Sequence, residues 1–212
     1  MMPMTRITWA RTRGTCEYAA RPVLTAYIDE SARHRNDADS CVYVLAAALV
    51  EDDQAEELVS VLESRPRSGA AKLHWKDQTV KQRIATTEAL VAVPLAGLVA
   101  VHFYDYQPQN ERARRLCFNR LLVALAHEHA ADAAVFESRG ASRDKKDREV
   151  LTVLRKNGRV PRDLDVSWVR GGEQPLLWAA DCLAGAVTWY FGAQDEDAYL
   201  DLYGDAVTLI EA

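Results

Sequence analysis

The sequence predicts an α/β domain on a mixed sheet with flanking helices, and three observations predict it. Strand-like apolar segments open the chain as a meander, strand-like and helix-like segments alternate through its second half, and 49% of the 212 residues are apolar. That apolar content suffices for one sizeable core. Strands separated by helices pair in parallel through right-handed crossovers, whereas strands joined by short connections pair antiparallel, so the sheet must be mixed.

The elements follow in order. Residues 1–21 mix Arg, Thr, Gly and isolated aromatics without a period and form an N-terminal arm. Residues 23–29, rich in β-formers between Pro22 and the polar stretch 31–40, predict the first strand. The apolar run 41–50 predicts its hairpin partner. Helices are expected over 52–63, where Leu58, Val59 and Leu62 recur behind an Asp cap, and over 77–91. The aliphatic stretch 94–103 reads as the third strand. Residues 109–131 read as a long helix with Leu116, Leu121, Leu122 and Leu125 as its buried stripe. Strand 133–137, helix 144–156, strand 164–169 and helix 175–190 complete a domain spanning 22–192. The remaining residues, 193–212, carry six acids and no Lys or Arg and read as an acidic C-terminal segment.

Charge and composition narrow the function classes. With 26 Lys and Arg against 31 Asp and Glu, the net charge is −5, which excludes a globally basic nucleic-acid coat and leaves only a local basic face. The apolar runs 41–50 and 89–101 are shorter than the roughly 20 residues of a membrane span, so no membrane partner is expected. The first 22 residues contain four Arg and no continuous apolar segment, which argues against a secretory leader and for the cytoplasm. The four Cys are widely spaced without a C-x-x-C pair, so neither a zinc site nor a disulfide framework is expected.

Chemistry is expected where acids end apolar segments. The first strand is uncharged until Asp29 and Glu30, and alternation puts Asp29 on the face of Thr25 and Tyr27 and Glu30 on the opposite face. The strand 133–137 likewise ends in Glu137. Asp181 sits among Leu177, Trp178, Ala184 and Gly185 at helical spacing, where an isolated carboxylate costs several kcal/mol unless a cation, donors or a proton attend it. Ligands of open α/β sheets bind beyond the carboxyl ends of parallel strands, so Asp29, Glu137 and Asp181 are candidates for one hard-oxygen site suited to Mg²⁺ or Mn²⁺. Ordinary structural roles are open to each: Asp29 as a turn cap, Glu137 as a partner of Arg139 or Arg143, Asp181 as the counter-ion of a buried Arg. His74, beside Trp75 and Lys76, is a candidate accessory that orients a water or phosphate and equally a packed side chain. His127 and His129, two apart on a helix, face different ways and are assigned no metal.

The motifs Tyr-Ile-Asp-Glu-Ser at 27–31, Leu-His-Trp-Lys-Asp at 73–77, Phe-Glu-Ser-Arg at 136–139 and Leu-Leu-Trp-Ala-Ala-Asp-Cys-Leu-Ala-Gly-Ala at 176–186 resemble the bacterial family called domain of unknown function 3800. The resemblance covers residues 22–190. It implies a ribonuclease H-like fold, a mixed five-stranded sheet of order 3-2-1-4-5 with flanking helices, in which the first and fourth strands are neighbours. It also implies that Asp29, Glu137 and Asp181 occupy metal-holding positions. Unlike many relatives, the chain has Ala32 rather than Gly after Asp-Glu-Ser, and Trp178 where Gln is frequent.

Between 139 and 162 stand nine Lys and Arg against three acids. Arg139, Arg143, Lys145, Lys146 and Arg148 follow Glu137 directly and are candidate phosphate contacts, because phosphates dominate nucleic-acid affinity and the acids alone would repel them. The expected function is thus a Mg²⁺- or Mn²⁺-dependent nuclease or phosphodiesterase acting on RNA or DNA, with Glu30 and His74 as accessories. The alternative is a non-catalytic module that binds nucleic acid or protein on the same fold.

Overall fold

A computed structural model describes residues 21–34, 40–67, 72–93, 95–105, 109–192 and 198–212. The expected arm over 1–21 lies outside them but for Arg21. A long apolar strand can cover both faces only at the centre of a sheet. Strand β2 (Cys41–Glu51), buried from Cys41 to Val50, takes that place. It runs antiparallel to β1 (Leu24–His34) on one side and to β3 (Ala96–Tyr104) on the other. Beyond β1 lie β4 (Ala133–Glu137) and β5 (Asp165–Val169), each parallel to its neighbour.

The sheet is mixed, as expected, but it has six strands rather than five. β6 (Val207–Glu211) pairs in parallel with β3 and gives the order β5-β4-β1-β2-β3-β6. Residues expected to form an acidic segment outside the domain therefore close one edge of its sheet. Their β-branched and aliphatic content, Val207 to Ile210, outweighs the acids that precede it.

Two helical layers cover the sheet. On one face pack α1 (Ala55–Glu63), α2 (Val80–Ala92), α5 (Leu176–Phe191) and α6 (Ala198–Tyr203), with a 3₁₀ turn at Trp75–Asp77 before α2 and another at Gly204–Ala206 after α6. On the other pack α3 (Asn110–His127) and α4 (Ala141–Lys156). Strand alternation divides β2 between them: Val42, Val44, Ala46, Ala48 and Val50 face α5, and Cys41, Tyr43, Leu45, Ala47 and Leu49 face α3. Small residues on both partners bring α5 down onto β1 and β2.

Several boundaries differ for identifiable reasons. β1 runs on through Ser31 to His34 because β2 pairs with it over its whole length, Leu24 with Glu51 and His34 with Cys41. α2 begins at Val80, not Asp77, since Thr79 and Gln82 form a reciprocal capping box. α3 ends at His127, not at 131, and is followed by Ala130 with a positive φ of 50°. Leu116 lies outside the buried stripe of α3, which instead includes Arg114. Among the described residues no helix is long and apolar enough to cross a membrane.

Candidate functional site

The parallel register of β1 and β4 ends with Ile28 beside Phe136, so Asp29 and Glu137 stand side by side just past the paired stretch. Ile28 and Phe136 belong to the core under α3 and α4, and alternation turns Asp29 and Glu137 to the α5 face. Asp181, on α5, is the third carboxylate there. Asp29 is only 8% exposed. Burial first, then the charges of Asp181, Glu137 and Glu30, raise its carboxyl well above the usual range.

Two of the acids are held from within the motifs, and Glu137 by Lys72, which lies outside them. Lys72 Nζ donates to Glu137 Oε1 at 2.5 Å. Glu137 Oε2 is buried with no hydrogen-bond donor among the described residues, and the Glu137 carboxylate beside Asp29 helps raise the Asp29 carboxyl. Asp29 Oδ1 accepts the backbone N–H of Glu30 at 2.8 Å. Asp181 Oδ2 accepts the backbone N–H of Trp75 at 2.8 Å, with His74 Nδ1 at 3.7 Å from the same oxygen. Among the described residues no Arg pairs with Asp181; its neighbours are a peptide N–H and an imidazole.

Two glycines make these approaches fit. At Gly171 a Cβ would stand 2.7 Å from the Glu137 carboxylate carbon and both its oxygens, so the bare backbone after β5 lies against that carboxylate. Trp178 Nε1 fixes this loop by donating to the Gly171 carbonyl at 2.7 Å, so Trp178 braces the cleft from behind. At Gly185, one helical turn beyond Asp181, a Cβ would enter the Trp75 indole ring. Gly185 thereby lets Trp75 sit on α5 with its N–H on Asp181. Gly185→Ala is expected to push Trp75 away, to cost about 1–3 kcal/mol by overpacking, and to loosen the Asp181 contact; urea unfolding and the protection of the Trp75 amide from exchange measure the two effects.

The other expected participants go elsewhere. Glu30 points away from Asp29, and its Oε2 accepts Arg114 Nη1 at 2.8 Å on the α3 face. Burial raises its carboxyl, with Arg114 and Arg139 opposing that rise. Arg139 is not a free phosphate contact: Glu111 at 2.8 Å, Asp147 at 3.2 Å and Glu30 at 3.6 Å enclose its guanidinium. Arg143, Lys145, Lys146 and Arg148 are exposed on α4, but α4 covers the opposite face of the sheet from the three acids. Lys145 faces Glu149 at 4.0 Å and the Arg148 guanidinium stacks over Trp168 at 4.7 Å. His127 Nε2 donates to the Arg159 carbonyl at 3.0 Å, a structural tie.

Thiol chemistry has no footing near the acids. Cys182 follows Asp181, but burial, reinforced by the Asp181 charge, pushes its thiol well up, and Gln78 Nε2 lies 3.8 Å from its sulfur. Cys41, Cys117 and Cys182 are buried and free. The donor set for a cation is three carboxylates, chemically suited to a hard divalent ion. Among the described residues, however, no three His, Cys, Asp or Glu side chains stand close enough to enclose one. No family model matches the chain, and no curated protein matches its sequence.

Proposed function

We propose that the chain is a ribonuclease H-like phosphodiesterase that cleaves RNA or DNA at the Asp29, Glu137 and Asp181 cleft with a Mg²⁺ or Mn²⁺ cofactor. One observation carries the reading: a buried Asp29 is set against two further carboxylates, and among the described residues Lys72 answers only one of them, Glu137. Such crowding is costly to the fold and is relieved by a cation or a proton. Supporting the fold assignment, β5-β4-β1-β2-β3 within the six-stranded sheet has the neighbours of the ribonuclease H-like order.

Asp29, Glu137 and Asp181 are the residues that would hold the metal, and holding it would require them to close on it further than they do in this fold. A divalent ion bound there supplies an activated water and charge stabilisation at the phosphorus. The chain's own part is positional. The Trp75 N–H fixes Asp181, the Gly171 backbone presses on Glu137, and Lys72 and His74 line the same mouth, where a phosphate oxygen finds donors. A cavity of about 280 Å³ on the acid side of the sheet, lined by Arg67, Lys72, His74, Asp77 and Gln82 among others, reaches the acids through Lys72 and His74 and is assigned the substrate strand leading to them.

The observation favouring a non-catalytic module is the Lys72–Glu137 pair, which already offsets one of the three charges. Cleavage of labelled single- and double-stranded RNA and DNA, in Mn²⁺ and in EDTA, separates the two. Metal-dependent cleavage lost in Asp29→Asn is expected. Crystals soaked in Mn²⁺ should show anomalous density between the carboxylates, and absence of both signals leaves the module reading.

A further inference from the structure

The α3 and α4 helices lie side by side, and between them runs an open groove of about 640 Å³. Arg112, Arg115, Leu116 and Asn119 face it from α3 at helical spacing, and Lys146, Val150 and Val153 face it from α4, with the cap residue Asn157 at its end. Its middle is apolar: Leu116 and Val150 are half-buried, and Val153 is 56% exposed with nothing over it among the described residues. We propose that this groove docks an acidic, amphipathic helical segment of a partner protein.

Charge bookkeeping at the groove selects the occupant. Its acids are already answered from within: Glu111 by Arg139 at 2.8 Å, Asp147 by Arg114 at 2.8 Å, and Glu149 by Lys145 at 4.0 Å. Its cations are not. Arg112, Arg115, Lys146 and Arg159 have no carboxylate within 4.0 Å among the described residues. An apolar floor with uncompensated cations at its sides and end matches a helix that presents one apolar stripe flanked by Asp and Glu. A nucleic-acid backbone would use the cations and gain nothing from Leu116, Val150 and Val153. From Lys146 to Asn157 the wall runs roughly 16 Å at about 1.5 Å per residue, three turns of a docked helix.

The groove and the acid cleft lie on opposite faces of the sheet, so docking leaves the cleft open, and this inference does not depend on phosphodiesterase activity. It also gives Lys146, an exposed cation of α4, a use that its place on the face opposite the acids denies it.

The test uses the full chain and three fluorescent probes: a synthetic helical peptide with a Leu and Ile stripe flanked by Glu, the same peptide with Lys for Glu, and a DNA duplex. The acidic peptide is expected to bind and to shift the methyl resonances of Leu116, Val150 and Val153, while the basic peptide does not bind. Val153→Glu and Arg115→Glu should each weaken binding at least roughly tenfold. Both positions are exposed, so their melting curves should stay close to that of the parent chain. Failure of the acidic peptide to bind, equal binding of the basic peptide, or affinity untouched by Val153→Glu overturns the proposal. Displacement of the peptide by duplex at equal concentration also overturns it, since the cations would then serve phosphates.

Discussion

Arg114→Met is expected to cost up to about 3–5 kcal/mol of folding stability at neutral pH, because it takes the central cation from buried Asp147 and half-buried Glu30 and leaves Arg139 alone to answer both. Arg114 is 1% exposed. It donates to Glu30 at 2.8 Å, to Asp147 at 2.8 Å and to the Tyr43 hydroxyl at 3.3 Å. Its neighbour Arg139 bridges the same two acids and Glu111, so one network ties β1, α3, α4 and the end of β4. Burial raises the Glu30 carboxyl, and the two guanidiniums oppose that rise. Without Arg114 the carboxyl goes up further. An acid whose folded pKa lies above its unfolded one contributes stability that is complete below the unfolded pKa and is lost as pH rises through the folded one. The deficit of Arg114→Met should therefore be larger at pH 8 than at pH 4. Adding Glu30→Gln and Asp147→Asn should recover much of it, which urea titrations of the single and triple variants measure.

That network also shows where reading the sequence stops. Alternation along β1 was enough to send Asp29 and Glu30 to opposite faces, because strand period is a local property. The partner of Glu30 is 84 residues away on a helix whose run Arg-Ala-Arg-Arg looks solvated. Helix phase near 114 is hidden for the same reason: the aliphatic spacing points to Leu116 as core, whereas Leu116 lines a groove and Arg114 is enclosed. Lys72 is similar, since it lies between expected elements and meets Glu137 only through the tertiary fold. Gly171 and Gly185 were visible as letters, but what they admit, a carboxylate and an indole, is fixed by neighbours far along the chain. The sixth strand is masked by the acids of residues 193–212, whereas its pairing is decided by the edge that β3 offers.

Asp181→Asn is expected to abolish metal-dependent cleavage and to leave the metal-free fold as stable as before or more so. An Asn oxygen can still accept the Trp75 N–H that now reaches Asp181 at 2.8 Å, so little is lost in hydrogen bonding. What goes is a negative charge that helps raise the Asp29 carboxyl. Because that raised pKa makes the fold less stable as pH climbs through it, the variant should show a shallower fall in stability above the ordinary carboxylate range. Divalent ion should then distinguish the chains in the opposite sense. At about 100 times its dissociation constant, Mn²⁺ should stabilise the parent by roughly 2.7 kcal/mol and the variant far less. Had Asp181 neutralised a buried Arg, its loss would cost about 3–5 kcal/mol in EDTA, but its neighbours in the fold are the Trp75 N–H and His74. Melting curves of both chains in EDTA and in Mn²⁺ measure all of this. A parent that gains nothing from Mn²⁺, together with a variant several kcal/mol weaker in EDTA, would sink the metal reading of the cleft and make Asp181 a structural acid that orients Trp75.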